Sequence, residues 1–261
     1  MSEKIFLWQG QAPYSEFSAD QAQPSLTPYP AAGSPGAVIV LAGGAYKRKT
    51  AYEAYPVAEK LAGFGVSAFV LDYRIYPCHK YAPLADCSRA VRLLHHMGYQ
   101  KVAVLGFSAG GNLACTAATH YDAGDPDAED PVERCSSRPD GFIPCYAVSS
   151  FISYTHTGTV RYLLGSESES LPDLRFFSSE LNVTPNTPPA FLWHTFADAA
   201  VPVESCLNLG RALASSGVPF EMHIFPEGGH GLGLAESVPS VAKWIEYLKL
   251  WLKRGGYLEE T

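Results

Sequence analysis

Lys101-Val-Ala-Val-Leu-Gly-Phe-Ser108-Ala-Gly-Gly-Asn-Leu-Ala-Cys-Thr-Ala-Ala118 decides how the chain is read. Val102 to Phe107 is a short apolar run, partly β-branched, of the kind a buried parallel strand requires. Asn112 to Ala118 is rich in small, helix-tolerant residues. Between the two stands Gly106-x-Ser108-x-Gly110. A serine on so tight a strand-to-helix turn takes a strained backbone, and its hydroxyl stands clear of the sheet. Side chains at 106 and 110 would collide with the adjoining strand or helix, and Gly111 allows further close approach. The helix that follows turns its N-terminus toward the site, where developing negative charge is favoured. An ordinary glycine-rich βα turn would show the same pattern, so the rest of the chain must supply the context.

Upstream, Ala37-Val-Ile-Val-Leu-Ala42 is a core strand that runs into Gly43-Gly44-Ala45-Tyr46. Glycines directly after a buried strand let the backbone turn its N–H groups toward a neighbouring site. Lys47-Arg48-Lys49 reads as a solvated basic face, and a helix is expected from about Ala51 to Ala62. Val66 to Leu71 is a second strand, followed by Asp72-Tyr73-Arg74 and Pro77. A helix with apolar Ala90, Val91, Leu94 and Met97 at helical spacing covers about Leu84 to Met97. His95 and His96 close it; adjacent helical residues do not share a face, so they are not a metal pair.

Downstream, 122–140 is an acidic, proline-containing loop that lacks the glycine and terminal glutamate of a calcium-binding loop, and it reads as a solvated insertion. Gly141 to Val148 is a further strand. Residues 150–188 lose periodicity and read as a small excursion with one or two short helices, of the kind that covers a pocket. Ala190 to Thr195 is the next strand, ending at Asp198. Glu204 to Ser215 is helix, Phe220 to Phe225 strand, and Gly228-Gly229-His230-Gly231 precedes a closing helix from about Val238 to Leu252. Residues 9–36 hold Pro24, Pro28, Pro30 and Pro35, which rule out a helix; an extended, partly strand-like arm is expected.

Composition narrows the class. With 261 residues, 47% of them hydrophobic, the chain can build one large core, and no repeat or linker divides it, so one domain over 1–261 is expected. A formal net charge of −7 gives no footprint for nucleic acid. The N-terminus, Met1 to Trp8, has no apolar run long enough for a signal peptide, and no stretch reaches the length of a membrane span. Six scattered cysteines without a Cys-x-x-Cys pair read as reduced thiols, so a cytoplasmic location without membrane attachment is expected.

Strands alternating with helices predict an α/β fold, with a mostly parallel sheet covered on both faces. Sites in such sheets lie at the carboxyl ends of strands. Gly43–Ala45, Ser108, Asp198 and His230 all follow predicted strands and should meet on one edge. A serine hydroxyl needs a base to take its proton. His230, in a glycine-rich loop, is the best candidate. His79 and His120 lack a turn signature, His156 lies in the excursion, and His194 and His223 sit inside strands in structural roles. Asp198 would fix the imidazole tautomer and stabilise its charged form; its other reading is a cap on the helix at Glu204.

The order Ser, Asp, His along the chain, with the motifs around it, resembles the α/β-hydrolase superfamily. More closely it looks like the small bacterial esterases with a Pro-Gly-Gly-Gly-Tyr type loop, the acetyl-xylan-esterase-like or lipase/esterase-like group. The resemblance rests on Ala42-Gly43-Gly44-Ala45-Tyr46, Asp72-Tyr73-Arg74 with Pro77, Gly106 to Gly111, His194 to Asp198 with Val201-Pro202, and Gly229-His230-Gly231, and extends from about residue 4 to 253. Ala45 stands where the third glycine is usual, and Ala42 where proline or histidine is usual. The resemblance implies an α/β-hydrolase fold and an oxyanion hole from the N–H groups of Gly44, Ala45 and Ala109. It implies Ser108, Asp198 and His230 as the catalytic set, no cofactor and no metal. The implied activity is hydrolysis of small-molecule, short-chain acyl esters, acetyl foremost, with acetylated sugars as one substrate class. Two alternatives stand beside it: a prolyl-oligopeptidase-like peptidase or amidase, and a non-catalytic binding protein on the same fold. A homodimer is left open by the sequence.

Overall fold

The computed structural model describes residues 3–18 and 20–259. Met1 and Ser2, which belong to the N-terminal reading, and Ala19, within the 9–36 arm, lie outside the described residues, as do residues 260 and 261. Six apolar runs form consecutive parallel strands: β3 (Gly36–Leu41), β4 (Ser67–Asp72), β5 (Lys101–Phe107), β6 (Gly141–Cys145), β7 (Ala190–Thr195) and β8 (Phe220–Phe225). β2 (Ser25–Tyr29) pairs antiparallel with β4, and β1 (Ile5–Phe6) antiparallel with β2. The arm is thus strand-like in its second half. The eight strands lie in the order β1-β2-β4-β3-β5-β6-β7-β8, the α/β-hydrolase arrangement expected from the sequence.

The strand pleat sorts side chains between two layers. On β3, Ala37, Ile39 and Leu41 face a core shared with α2 (Ala82–His96) and α3 (Ala109–Thr119). Val38 and Val40 face the opposite core, closed by α1 (Tyr55–Gly63) and α7 (Trp244–Arg254). Every residue of β3 is buried, which is why its sequence is uninterrupted apolar rather than alternating. α4 (Thr157–Leu164) and α5 (Leu171–Phe176) form the excursion, and α6 (Glu204–Ser215) packs with α3 through a smaller cluster around Cys115, Cys206 and Leu209.

Several boundaries differ from the sequence reading for local reasons. The helix expected from Ala51 is a 3₁₀ turn over Ala51–Glu53, then α1, because Pro56 fits only a first helical turn. The closing helix likewise starts at Trp244, after a 3₁₀ turn over Val241–Lys243. β6 stops at Cys145 rather than Val148, since Tyr146 turns to φ 36° and leaves the extended region.

The 122–140 loop is not a free solvated insertion. Two arginines of α2, buried at their side chains, hold its acids: Arg89 reaches Asp130 at 2.6 Å and Glu133 at 2.7 Å, and Arg92 reaches Asp122 at 2.5 Å. No helix among the described residues is long and apolar enough to cross a membrane.

Candidate active site

Ser108 joins β5 to α3 with φ 52° and ψ −114°, a conformation that costs an L-residue about 1–3 kcal/mol. Surrounding bonds over-determine it. Its N–H donates to the Cys145 carbonyl at 3.0 Å, and its own carbonyl accepts from Asn112 at 3.0 Å and Val148 at 3.2 Å. The flanking glycines are obligatory. A Cβ at Gly106 would lie 2.0 Å from the Gly110 carbonyl oxygen, and one at Gly110 would lie 2.5 Å from the carbonyl oxygens of Leu41 and Ala42. The sharp turn therefore exists because helix and strands approach closer than any side chain permits.

Asp198 follows β7 and His230 follows β8, so sheet order alone brings both loops to the edge where β5 ends. His230 Nε2 lies 2.7 Å from Ser108 Oγ, and His230 Nδ1 lies 2.7 Å from Asp198 Oδ2. Because Nδ1 donates to the carboxylate, Nε2 of the neutral ring carries the lone pair that faces the serine hydroxyl. The other carboxylate oxygen, Oδ1, accepts the N–H groups of Ala200 at 2.9 Å and Val201 at 3.0 Å. Burial alone would raise the Asp198 pKa. Hydrogen bonding from His194, His230 and the Val201 N–H outweighs burial and holds it well below the usual carboxylate range. His194 Nε2 donates to the Val201 carbonyl at 3.0 Å, with Asp198 Oδ2 3.4 Å away, so this buried histidine braces the acid's loop. Asp198 does not cap α6, whose first turn has no side-chain cap.

The loop after β3 supplies the remaining wall. Ala45 and Tyr46 both sit at φ 57°, so the alanine at the third loop position adopts the left-handed conformation usual for glycine. The N–H groups of Gly44, Ala45 and Ala109 have no acceptor within the described residues, and Gly44 and Ala45 line the same cavity as Ser108. Two tyrosines hold the loop from beneath: Tyr46 donates to Asn112 Oδ1 at 3.0 Å, and Tyr73 to the Ala42 carbonyl at 2.6 Å.

Glu53 is the member of this region that the sequence reading missed. It is 2% exposed, and its carboxylate accepts from the Gly43 N–H at 2.9 Å, from the Tyr146 hydroxyl at 2.8 Å and from Thr50 Oγ1. The Tyr146 oxygen accepts in turn from the Gly233 N–H at 2.8 Å, and its ring meets the His230 ring edge-on at 5.1 Å. One carboxylate thus ties the Gly43 loop to the loop of His230. Thr50-x-x-Glu53 has the spacing of a capping box, the only local signal it carries, but the glutamate bonds to a different loop instead.

The cavity at Ser108 has a volume of about 300 Å³ and is also lined by Lys47, Arg48, Tyr52, His156, Tyr162 and Gly231. Lys47 and Arg48 therefore face the site, while Lys49 pairs with Asp72. His156 caps α4: its Nδ1 accepts the Thr159 N–H at 3.2 Å. Burial, and then the nearby His230, lower its pKa below the ordinary histidine value. A larger cavity of about 440 Å³, lined by Trp8, Tyr81, Arg89 and Phe176, lies against α2 and includes none of the Ser108, Asp198 and His230 set.

A mostly parallel eight-stranded sheet with a strained serine after its fifth strand, an acid after the seventh and a histidine after the eighth defines an α/β-hydrolase. The comparisons with known proteins narrow this. The chain belongs to the BD-FAE family, which matches residues 27–213. It superposes on the crystal structure of an acetyl ester-xyloside bifunctional hydrolase from Caldicellulosiruptor lactoaceticus with a TM-score of 0.93 and 41% identity, covering 98% of this chain and 97% of that one. It is 37% identical, over 76% of its length, to the endo-1,4-beta-xylanase B of Butyrivibrio fibrisolvens, of which the match covers 32%. It is 26% identical, over 83% of its length, to the acetylxylan esterase of Xylanibacter ruminicola, of which the match covers 45%. The chain thus spans less than half the length of these two curated relatives.

Proposed function

We propose that the chain is a serine carboxylesterase that cleaves short acyl esters, acetyl foremost, with acetylated sugars as a substrate class, through an acyl-enzyme on Ser108. The observation that carries this reading is the continuous chain of 2.7 Å contacts from Ser108 Oγ through the His230 ring to Asp198. The cavity volume suits a small acyl group, and the sugar-ester reading draws on relatives described as acetylxylan esterase and acetyl ester-xyloside hydrolase.

In this reading His230 Nε2 takes the Ser108 proton as Oγ bonds to the ester carbonyl carbon. The carbonyl π electrons move to oxygen, and the N–H groups of Gly44 or Ala45 and of Ala109 receive the resulting charge. Such donors add more in a water-excluded site than in solvent. The tetrahedral adduct collapses, the alkoxy C–O bond breaks, and the alcohol departs with the proton from His230. Water then repeats the sequence on the acyl-enzyme: His230 takes its proton, hydroxide adds, and Ser108 leaves reprotonated. Asp198 holds Nδ1–H throughout and stabilises the imidazolium formed in each half.

Hydrolysis of p-nitrophenyl acetate, assayed beside an aminoacyl amide and with fluorophosphonate labelling, tests the reading. Ester turnover well above amide turnover, with labelling lost in Ser108→Ala, is the expected result. Preferred amide cleavage, or labelling that survives the substitution, overturns it.

A further inference from the structure

The rim of the Ser108 cavity carries charge opposite in sign to the chain as a whole. The protein has a formal net charge of −7, yet the exposed ionic side chains that line this cavity, Lys47 and Arg48, are both cations. Neither forms an ion pair among the described residues, whereas the adjacent Lys49 is paired with Asp72. Lys47 is also held in place. Its Nζ lies 5.1 Å from the ring centroid of Tyr162 on α4, and the nearby ammonium pulls the Tyr162 phenol below its usual pKa. A neutral phenol fixes the ammonium without cancelling its charge. Lys47 therefore bridges from the Gly43 loop to the excursion at the edge of the site.

The other ionisable groups facing this space do not reverse the sign. Glu53 is buried beneath the loop, with its oxygens taken by Gly43, Thr50 and Tyr146. Asp198 lies behind His230 with its side chain fully buried. His156 adds positive charge when protonated and none when neutral. Tyr52 contributes a neutral phenol.

We propose that the esters this site prefers carry a carboxylate on the half that lies toward the cavity mouth. In an acylated sugar, that group is a uronic-acid carboxylate. The proposal rests on the ester-hydrolase reading above and adds the charge of its substrate. Two unpaired cations on a concave wall raise the local concentration of anions and favour their bound state, by an amount that falls with ionic strength.

Two aryl acetates matched in size and scissile bond, 4-acetoxybenzoate and 4-acetoxybenzamide, isolate the charge. The carboxamide makes the phenol the better leaving group, so intrinsic reactivity works against the expected preference. At low salt the carboxylate ester should have a kcat/KM about five- to tenfold the higher, chiefly through KM. The ratio should fall toward one in about 0.5 M NaCl. It should also fall toward one, at low salt, in the Lys47→Met/Arg48→Met double variant, which keeps the aliphatic packing of both side chains. A wild-type ratio at or below one, or a ratio unchanged in the double variant, overturns the proposal. Should the double variant not fold, the salt dependence of the wild-type ratio decides, and a salt-independent ratio overturns it. If neither acetate is hydrolysed, the ester-hydrolase reading fails and takes this one with it.

Discussion

The two sides of the Ser108 cavity are built in different ways. The floor is made of the ends of β3, β5, β6, β7 and β8 and is fixed by backbone. Ser108 is held by three main-chain hydrogen bonds, Asp198 by two backbone N–H groups, and Gly43 by a buried carboxylate. The wall is made of Lys47, Arg48 and the outer face of the excursion around α4, where exposed side chains meet solvent and one another through contacts such as the Lys47–Tyr162 cation–ring pair and the His156 cap. The difference separates two tasks. Bond making needs donors and acceptors placed to a few tenths of an ångström, which only an over-determined backbone supplies. Choice among substrates needs a surface whose side chains can change without disturbing that backbone. Substitutions in the floor should therefore cost orders of magnitude in kcat, and those in the wall should shift ratios between substrates by about tenfold.

The sharpest break in this contrast is Asp198→Asn. The substitution keeps size and N–H acceptance but reverses the tautomer preference of His230. A fall of about 10⁴-fold in kcat for p-nitrophenyl acetate is expected, at matched folded fraction. Near-wild-type turnover would make Asp198 a loop brace and leave the floor without its acid.

Glu53→Gln tests whether the floor extends beyond the three aligned side chains. Glutamine can still accept from Gly43, but it cannot also accept the Tyr146 hydroxyl. A drop of about ten- to a hundredfold in kcat per titrated serine is expected, with KM little changed, because losing the Tyr146 tie lets the Gly43 loop carry the Gly44 and Ala45 N–H groups away from the developing charge. A purely structural glutamate would instead lower the titratable fraction and leave the turnover per site intact.

The smallest effect is in acid stability. The Asp198 carboxyl in the folded chain titrates below its unfolded value of about 3.9. Its stabilising contribution is therefore complete above that pH and is lost as pH falls through the folded value. The difference in urea midpoint between the wild type and Asp198→Asn should be constant above about pH 5 and narrow below about pH 4. A difference that stays constant to the lowest pH would mean that the carboxylate's charge contributes nothing to the fold.

Much of the floor was legible in the sequence because it sits in local patterns. Apolar runs of strand length, broken by glycines at 43–44, 106, 110 and 228–229, mark where backbone must turn at a strand end. Those ends share one sheet edge whenever the strands are parallel. The wall was not legible in the same way. Lys47 and Arg48 look like a solvated run, since nothing nearby in sequence shows that the excursion folds back over them. His156 offers no sign that it lines a cavity while capping a helix. The acids between Asp122 and Glu133 look free because their partners, Arg89 and Arg92, are carried on a helix 30 to 44 residues upstream.

By itself the sequence determined the parallel α/β architecture, the glycine frame of Ser108, and the Ser-Asp-His order that places each group after its strand. Periodicity and steric exclusion act over a few residues, so they leave their mark in the chain. Only the tertiary structure decided that Asp198 faces His230 rather than α6, that Glu53 and Tyr146 join the Gly43 loop to the His230 loop, and that two cations stand at the mouth. Ser108 and His230 are 122 positions apart, and Glu53 and Tyr146 are 93. At such separations a hydrogen-bond partner is set by strand order and loop path, quantities that no short stretch of sequence contains.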